Sequence, residues 1–527
     1  MSSTLDPGPL VEAVAARVER WRRERFASRL FSRDHTLWSP EPLPELADRL
    51  GWLELPEAMA PRVEELERLG AEVAAEGVEA VVLLGMGGSS LAPALYAATF
   101  GHAPDRPRLE VLDTTHPDAV AAAEARLDPE RTVWVVASKS GTTVETLALF
   151  RHFWRRAGGD GRRFLAITDP GTPLEVLARE RGFRGTVLAP PDVGGRFSAL
   201  SVFGLVPAAL SGVPVAGLLE SASAMAAACR GEEGNPGLEL GALLGEAALA
   251  GRDKLTLLAT PGFRALPAWL EQLLAESTGK GGRGIVPVDG EPRLDPAGLG
   301  PDRVLVTLAL AGEGPAALPV GHPTVRMALA SPVELGGELY RWEVATAAAG
   351  AVLGVNPFDQ PDVQLAKELA RRALGGELEP GEGVPAETPE AVARLERLVA
   401  ALDPGDYLAV QAFLAPAAAT DAALARLRAA LRRRTSCPVT VGYGPRFLHS
   451  TGQLHKGGPP TVRCLQLVDT PRSDLPVPET GTTFGRLIRA QADGDLAALA
   501  ARGRQVLRIE LGGEPAAAVT ALAEALS

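Results

Sequence analysis

Short apolar runs bounded by glycine, proline and small polar residues recur along the chain, and most hand over to segments with helical spacing. Residues 78–86 (VEAVVLLGM) read as a strand, followed by Gly87-Gly88-Ser89-Ser90 and a helix beginning near Leu91. Residues 108–114 and 163–169 read as further strands, 117–127 and 173–182 as helices, and 133–150 as a strand running into a helix. The alternation resumes with strands at 253–260, 302–310, 406–414 and 438–444 and a helix at 267–277. Loops are expected at 311–323 and 375–388, and the tail holds a helix at 482–503 and a last strand at 505–511. Strands alternating with helices of this length indicate βαβ units and mostly parallel sheets. The fold class is therefore α/β, with two tandem three-layer α/β/α sandwiches. The pattern divides the chain into a helical N-terminal segment (1–75), a first α/β domain (76–215), a helical connection (216–250), a second α/β domain (251–470) and a tail (471–527).

Residues 197–219 carry no charge and are long enough to span a bilayer. Pro207 and Pro214, with Gly204, Gly212 and Gly217, break that run, which reads as a buried helix followed by a turn. No membrane contact is expected. At 527 residues the chain exceeds one ordinary domain, and 46% hydrophobic residues with 5% aromatic suit a globular enzyme. The net charge of −12 argues against a nucleic-acid partner, because no basic surplus neutralises phosphates in bulk. Cys229, Cys437 and Cys464 lie far apart with no metal-ligand spacing, which points to a reducing compartment. Acidic residues interrupt the N-terminus and no apolar signal core follows, so a cytoplasmic location is expected.

Candidate chemistry sits where parallel sheets bind ligands, beyond the carboxyl ends of strands. Gly87-Gly88-Ser89-Ser90 and Ser138-Lys139-Ser140-Gly141-Thr142-Thr143 both lead into helices. Helix N-termini offer unpaired N–H groups and partial positive charge, and glycine and hydroxyl residues add close approach and donors. A phosphate fits two such loops better than plain helix capping does. The chain has 53 basic residues but only five lysines, so a lysine in a polar loop suggests that arginine will not serve there. Lys139, Lys280, Lys367 and Lys456 all lie in such stretches. Glu276 ends an amphipathic run before Gly279, where a helix C-terminus raises a carboxyl pKa and suits a general base. Of seven histidines, His449 and His455 lie among small loop-forming residues, where proton transfer is the expected role. His35, His102, His116, His152 and His322 read as structural or exposed. Arg196 follows two glycines and precedes a buried helix, a setting that aims a guanidinium into a cleft.

The segments GMGGSSLAP, SKSGTTVET, GGRFS, AESTGK, NPFDQPDVQLAK and LHSTGQ together resemble the glucose-6-phosphate isomerase (phosphoglucose isomerase) family, which is built from two sugar-isomerase domains of the SIS type. The resemblance implies that Ser89, Ser138, Ser140, Thr142 and Thr143 bind the substrate phosphate, with Lys139 in the same loop. It makes Glu276 the base between C1 and C2, Arg196 the stabiliser of the enediolate, Lys367 and His449 the ring-opening groups, and Gly88 and Gln360 substrate contacts. It implies a metabolic isomerase of glycolysis and gluconeogenesis that needs neither metal nor cofactor, and a homodimer. His449 follows Lys367 here, whereas typical members have the histidine first. That order resembles the isomerase part of bacterial transaldolase–isomerase fusion proteins. Only about 75 helical residues precede the first strand, so no transaldolase barrel and no transaldolase activity are expected. In typical members the histidine comes from the partner subunit, and the sequence leaves open which subunit supplies His449. Two alternatives accompany this reading: an isomerase that also accepts mannose 6-phosphate, and a non-catalytic sugar-phosphate sensor. A sensor usually brings a basic helix-turn-helix module, and none is visible.

Overall fold

A computed structural model describes residues 2–291 and 298–526. Three five-stranded sheets organise them. The first runs Arg108–Leu112, Ala80–Leu84, Thr132–Ala137, Phe164–Thr168, Gly185–Leu188 in spatial order, all parallel. Its central strands are buried throughout and nearly all apolar because both faces are covered. Val81, Leu83, Val133 and Val135 enter one core, while Ala80, Val82, Trp134 and Val136 enter the other. Chain order reverses direction between Ala80–Leu84 and Thr132–Ala137, which opens a crevice at their carboxyl ends. Both hydroxyl loops begin there.

The α/β class and the mostly parallel sheets hold, but the strands expected in one second sandwich fall into two sheets. Lys254–Ala259 lies between Val286–Asp289 and Arg303–Leu310, with Thr324–Leu329 and Ser2–Asp6 outside. Tyr407–Phe413 lies between Val439–Tyr443 and Val462–Val468, followed by Gln505–Glu510 and the two-residue strand Val384–Pro385. The division has a packing cause: Leu408, Val410, Leu465 and Leu507 build a core of their own with helices Ala418–Arg434 and Pro515–Ala525. The tail strand thus belongs to this third sheet.

The N-terminal segment is not helical throughout. Ser2–Asp6 pairs antiparallel with Thr324–Leu329 as an edge strand. Its sequence, SSTLD, has no apolar run to announce it. The charge-free stretch forms the helix Val202–Leu210, every residue of it buried against the first sheet. Among the described residues no helix is long and apolar enough to cross a membrane. All three cysteines are free and buried.

Candidate active site

The loop Ser138–Thr143 connects strand Thr132–Ala137 to helix Val144–Arg156. Gly141 has φ +68°, and a Cβ there would come within 2.8 Å of the Leu174 nitrogen, so both conformation and space require glycine. Thr143 is the residue before the helix, yet its hydroxyl makes no cap bond and instead meets Ser138 Oγ at 2.9 Å. Ser140 Oγ likewise meets Thr142 Oγ1 at 2.9 Å. The hydroxyls therefore face one another at an uncapped helix N-terminus, an arrangement suited to an anion. Lys139 points elsewhere: its ammonium pairs with Asp169 and donates to the Pro191 carbonyl at 3.0 Å. It braces the loop instead of joining the hydroxyls. Gly88 lies so close to the Gly195 backbone that any Cβ would overlap it, which joins the Ser89 loop to the Arg196 turn.

A cavity of about 510 Å³ takes in Ser140, Thr142, Thr143, Glu145, Lys367 and His449. Lys367 projects from helix Pro361–Leu374, and His449 ends the turn Arg446–His449 after strand Val439–Tyr443 of the third sheet. His449 Nε2 lies 3.0 Å from Glu145 Oε1 of the same chain. Burial alone pushes the Glu145 carboxyl up, but His449 and then Lys367 outweigh it and hold the group below its ordinary range.

Arg196 and Glu276 do not line that cavity; they stand beside it. Arg196 is 4% exposed and its guanidinium is fully engaged. Nε donates to Ser277 Oγ (2.8 Å), Nη1 to Gln360 Oε1 (2.9 Å), and Nη2 to the Pro357 and Asp359 carbonyls (2.8 Å each). Nη1 also stands 3.4 Å from Glu276 Oε1. Glu276 lies in the last turn of helix Leu266–Thr278, as expected, with a cation facing it. Gln272, one turn earlier, donates to Glu276 Oε2 (3.3 Å) and to the His449 carbonyl (2.7 Å). It links the two halves of the site. Lys280 pairs with Asp359 at 2.7 Å, and burial together with Arg196 pushes its ammonium down to about 8.

Gln453 accounts for the HSTGQ spacing. Fully buried, it donates to the Gly279 carbonyl (3.0 Å) and Asp362 Oδ2 (2.7 Å) and accepts from the Asp362 amide (2.9 Å). One side chain thus ties the segments of His449, Glu276 and Lys367. Gly279 ends its helix at an ordinary φ of −76°; it is glycine because a Cβ would come within 2.5 Å of Leu454. His455 is buried against Gln411 and does not line that cavity, so the structure does not bring it to the hydroxyl loop, and burial pushes its ring down to about 3. Lys456 pairs in the interior with Asp495 at 2.5 Å.

Sequence reasoning missed Glu145, Gln272 and Gln491. The signal for each was a long polar side chain on the buried face of a helix. Among the described residues no group of three or more His, Cys, Asp or Glu side chains could hold a metal ion.

The phosphoglucose isomerase family pattern matches residues 63–284. A glucose-6-phosphate isomerase of Rubrobacter xylanophilus is 31% identical over 395 residues, covering 63% of this chain and 90% of that protein. The chain belongs to the glucose-6-phosphate isomerase family. A second glucose-6-phosphate isomerase, from Thermus thermophilus, is 30% identical over 396 residues, covering 63% of this chain and 92% of its own. Among solved structures, a hypothetical protein of Thermus thermophilus superposes with a TM-score of 0.61 at 28% identity, covering 71% of this chain and all of that one. A glucose-6-phosphate isomerase of Chlamydia trachomatis shares the fold at TM-score 0.53 and 23% identity, over 72% of this chain and 81% of that one.

Proposed function

We propose that the chain interconverts glucose 6-phosphate and fructose 6-phosphate through an enediolate, with every catalytic group drawn from one polypeptide. The observation that carries this reading is the cavity shared by the hydroxyl loop, Lys367 and His449, joined through Gln272 to Glu276, which Arg196 faces. The phosphate is held by Ser89, Ser138, Ser140, Thr142, Thr143 and the start of helix Val144–Arg156, with Gly88 packing the Ser89 loop against the Arg196 turn. His449 and Lys367 exchange protons with the ring oxygen and the anomeric hydroxyl as the ring opens. The open chain then presents its C1–C2 unit to Glu276. Glu276 removes the proton beside the carbonyl and returns it one carbon over. Arg196, already fixed by its neighbours, offsets the negative charge that develops on oxygen, and Gln360 holds Arg196 and the substrate.

The contact between His449 and Glu145 lies within one chain. In a homodimer each protomer would then carry a complete site. The test is complementation, co-refolding equal amounts of the Glu276→Gln and His449→Ala variants so that subunits can exchange. A site built within one chain gives no more activity than the two variants separately. Recovery of about a quarter of the unaltered activity, the statistical share of intact sites in a dimer with exchanged histidines, would refute the single-chain site.

A further inference from the structure

We propose that Gln491 is a positioning residue for this reaction, holding the Glu145 carboxylate as a pure acceptor against His449 and so fixing which ring nitrogen is offered to the substrate. The inference rests on the proposed ring-opening role of His449. Gln491 lies on helix Phe484–Ala501 in the tail and lines the same cavity as the hydroxyl loop. Its Nε2 donates to Glu145 Oε1 at 2.7 Å, the oxygen that also meets His449 Nε2. Its own Oε1 accepts from Thr115 Oγ1 at 2.8 Å.

With Glu145 ionised, the polarity of this row of hydrogen bonds is set. An ionised carboxylate only accepts, so the amide nitrogen of Gln491 and a protonated Nε2 of His449 must both face it. The amide oxygen then needs a donor, which the Thr115 hydroxyl supplies. His449 Nδ1 is left for the substrate. Thr115, Gln491 and Glu145 are all buried, where each hydrogen bond counts for more than in water. Charges acting on Glu145 come from His449 on its turn and Lys367 on helix Pro361–Leu374; Gln491 adds a donor without a charge.

The helix is placed by a close crossing. Gly494, three residues after Gln491, admits the backbone of Ala370, three residues after Lys367, where a Cβ would overlap. One contact therefore sets both Gln491 and Lys367 relative to the cavity.

The test is the pH dependence of kcat for fructose 6-phosphate in the Gln491→Leu variant beside the unaltered protein. Loss of a donor raises a carboxyl pKa, so the acid limb of kcat should move to higher pH. At its optimum kcat should fall about tenfold with KM changed less than about twofold. Thr115→Val should shift the limb in the same direction by less. Gln491→Glu keeps the shape but sets two carboxyls together, and should lose activity most steeply as pH rises; it serves where the leucine variant does not fold. A variant profile that superimposes on the unaltered one, with kcat falling only as the melting temperature falls, overturns the positioning role alone. Absence of turnover in the unaltered protein overturns the reading beneath it.

Discussion

The Glu276→Gln variant should bind fructose 6-phosphate about as well as the unaltered protein and turn it over about 10²–10⁴-fold more slowly, the range expected for loss of a general base. Glutamine keeps the length and the oxygen facing Arg196 and the Gln272 donor, so the fold around the Leu266–Thr278 helix has no reason to change. What disappears is the ability to hold a proton between C1 and C2. The loss should therefore fall on kcat. Calorimetric binding of fructose 6-phosphate and a coupled rate assay on the same preparation check both halves. Weak binding with normal turnover at saturation would make Glu276 a substrate contact instead of the base.

Arg196→Lys should cost about 10²–10³-fold in kcat, comparable with removing a donor that stabilises a developing oxyanion. The substitution keeps the charge, so a small effect is the naive expectation. Geometry argues otherwise. The guanidinium reaches Ser277, Gln360 and two carbonyls with separate N–H groups while standing 3.4 Å from Glu276. An ammonium has three donors on a single atom and cannot span that set. At least one buried carbonyl would lose its partner, which also lowers the melting temperature. Steady-state kinetics with thermal denaturation tests this, and a lysine variant with unaltered kcat would remove Arg196 from the chemistry.

Much of the fold was legible because strands buried on both faces leave continuous apolar runs. The runs that became Ala80–Leu84, Thr132–Ala137 and Tyr407–Phe413 announce themselves this way. Sheet membership is less legible. Tyr407–Phe413 joins a separate sheet through tertiary packing of Leu408 and Val410, which no local pattern records. Ser2–Asp6 was hidden because its place depends on pairing with Thr324–Leu329, more than 300 residues away.

The candidate site divides along the same line. Glycine-marked loops gave away the hydroxyl loop, the Arg196 turn and the His449 turn. Lys139 shares the loop, but its position there says nothing about direction, and its ammonium pairs with Asp169. Glu145 stood inside a motif already singled out, but its pairing with His449 joins residues 304 apart in sequence. Gln272 and Gln491 sit inside helices, and only the structure shows that each serves two partners.

Proton transfer between C1 and C2 by Glu276 is tested most directly by solvent-isotope incorporation. Purified protein with EDTA is given fructose 6-phosphate in D₂O, and the glucose 6-phosphate formed is examined for deuterium at C2. Rapid conversion with deuterium at C2, slowed about 10²–10⁴-fold by Glu276→Gln, is the predicted result. No conversion by the unaltered protein, or conversion at an undiminished rate in the glutamine variant, would contradict this mechanism.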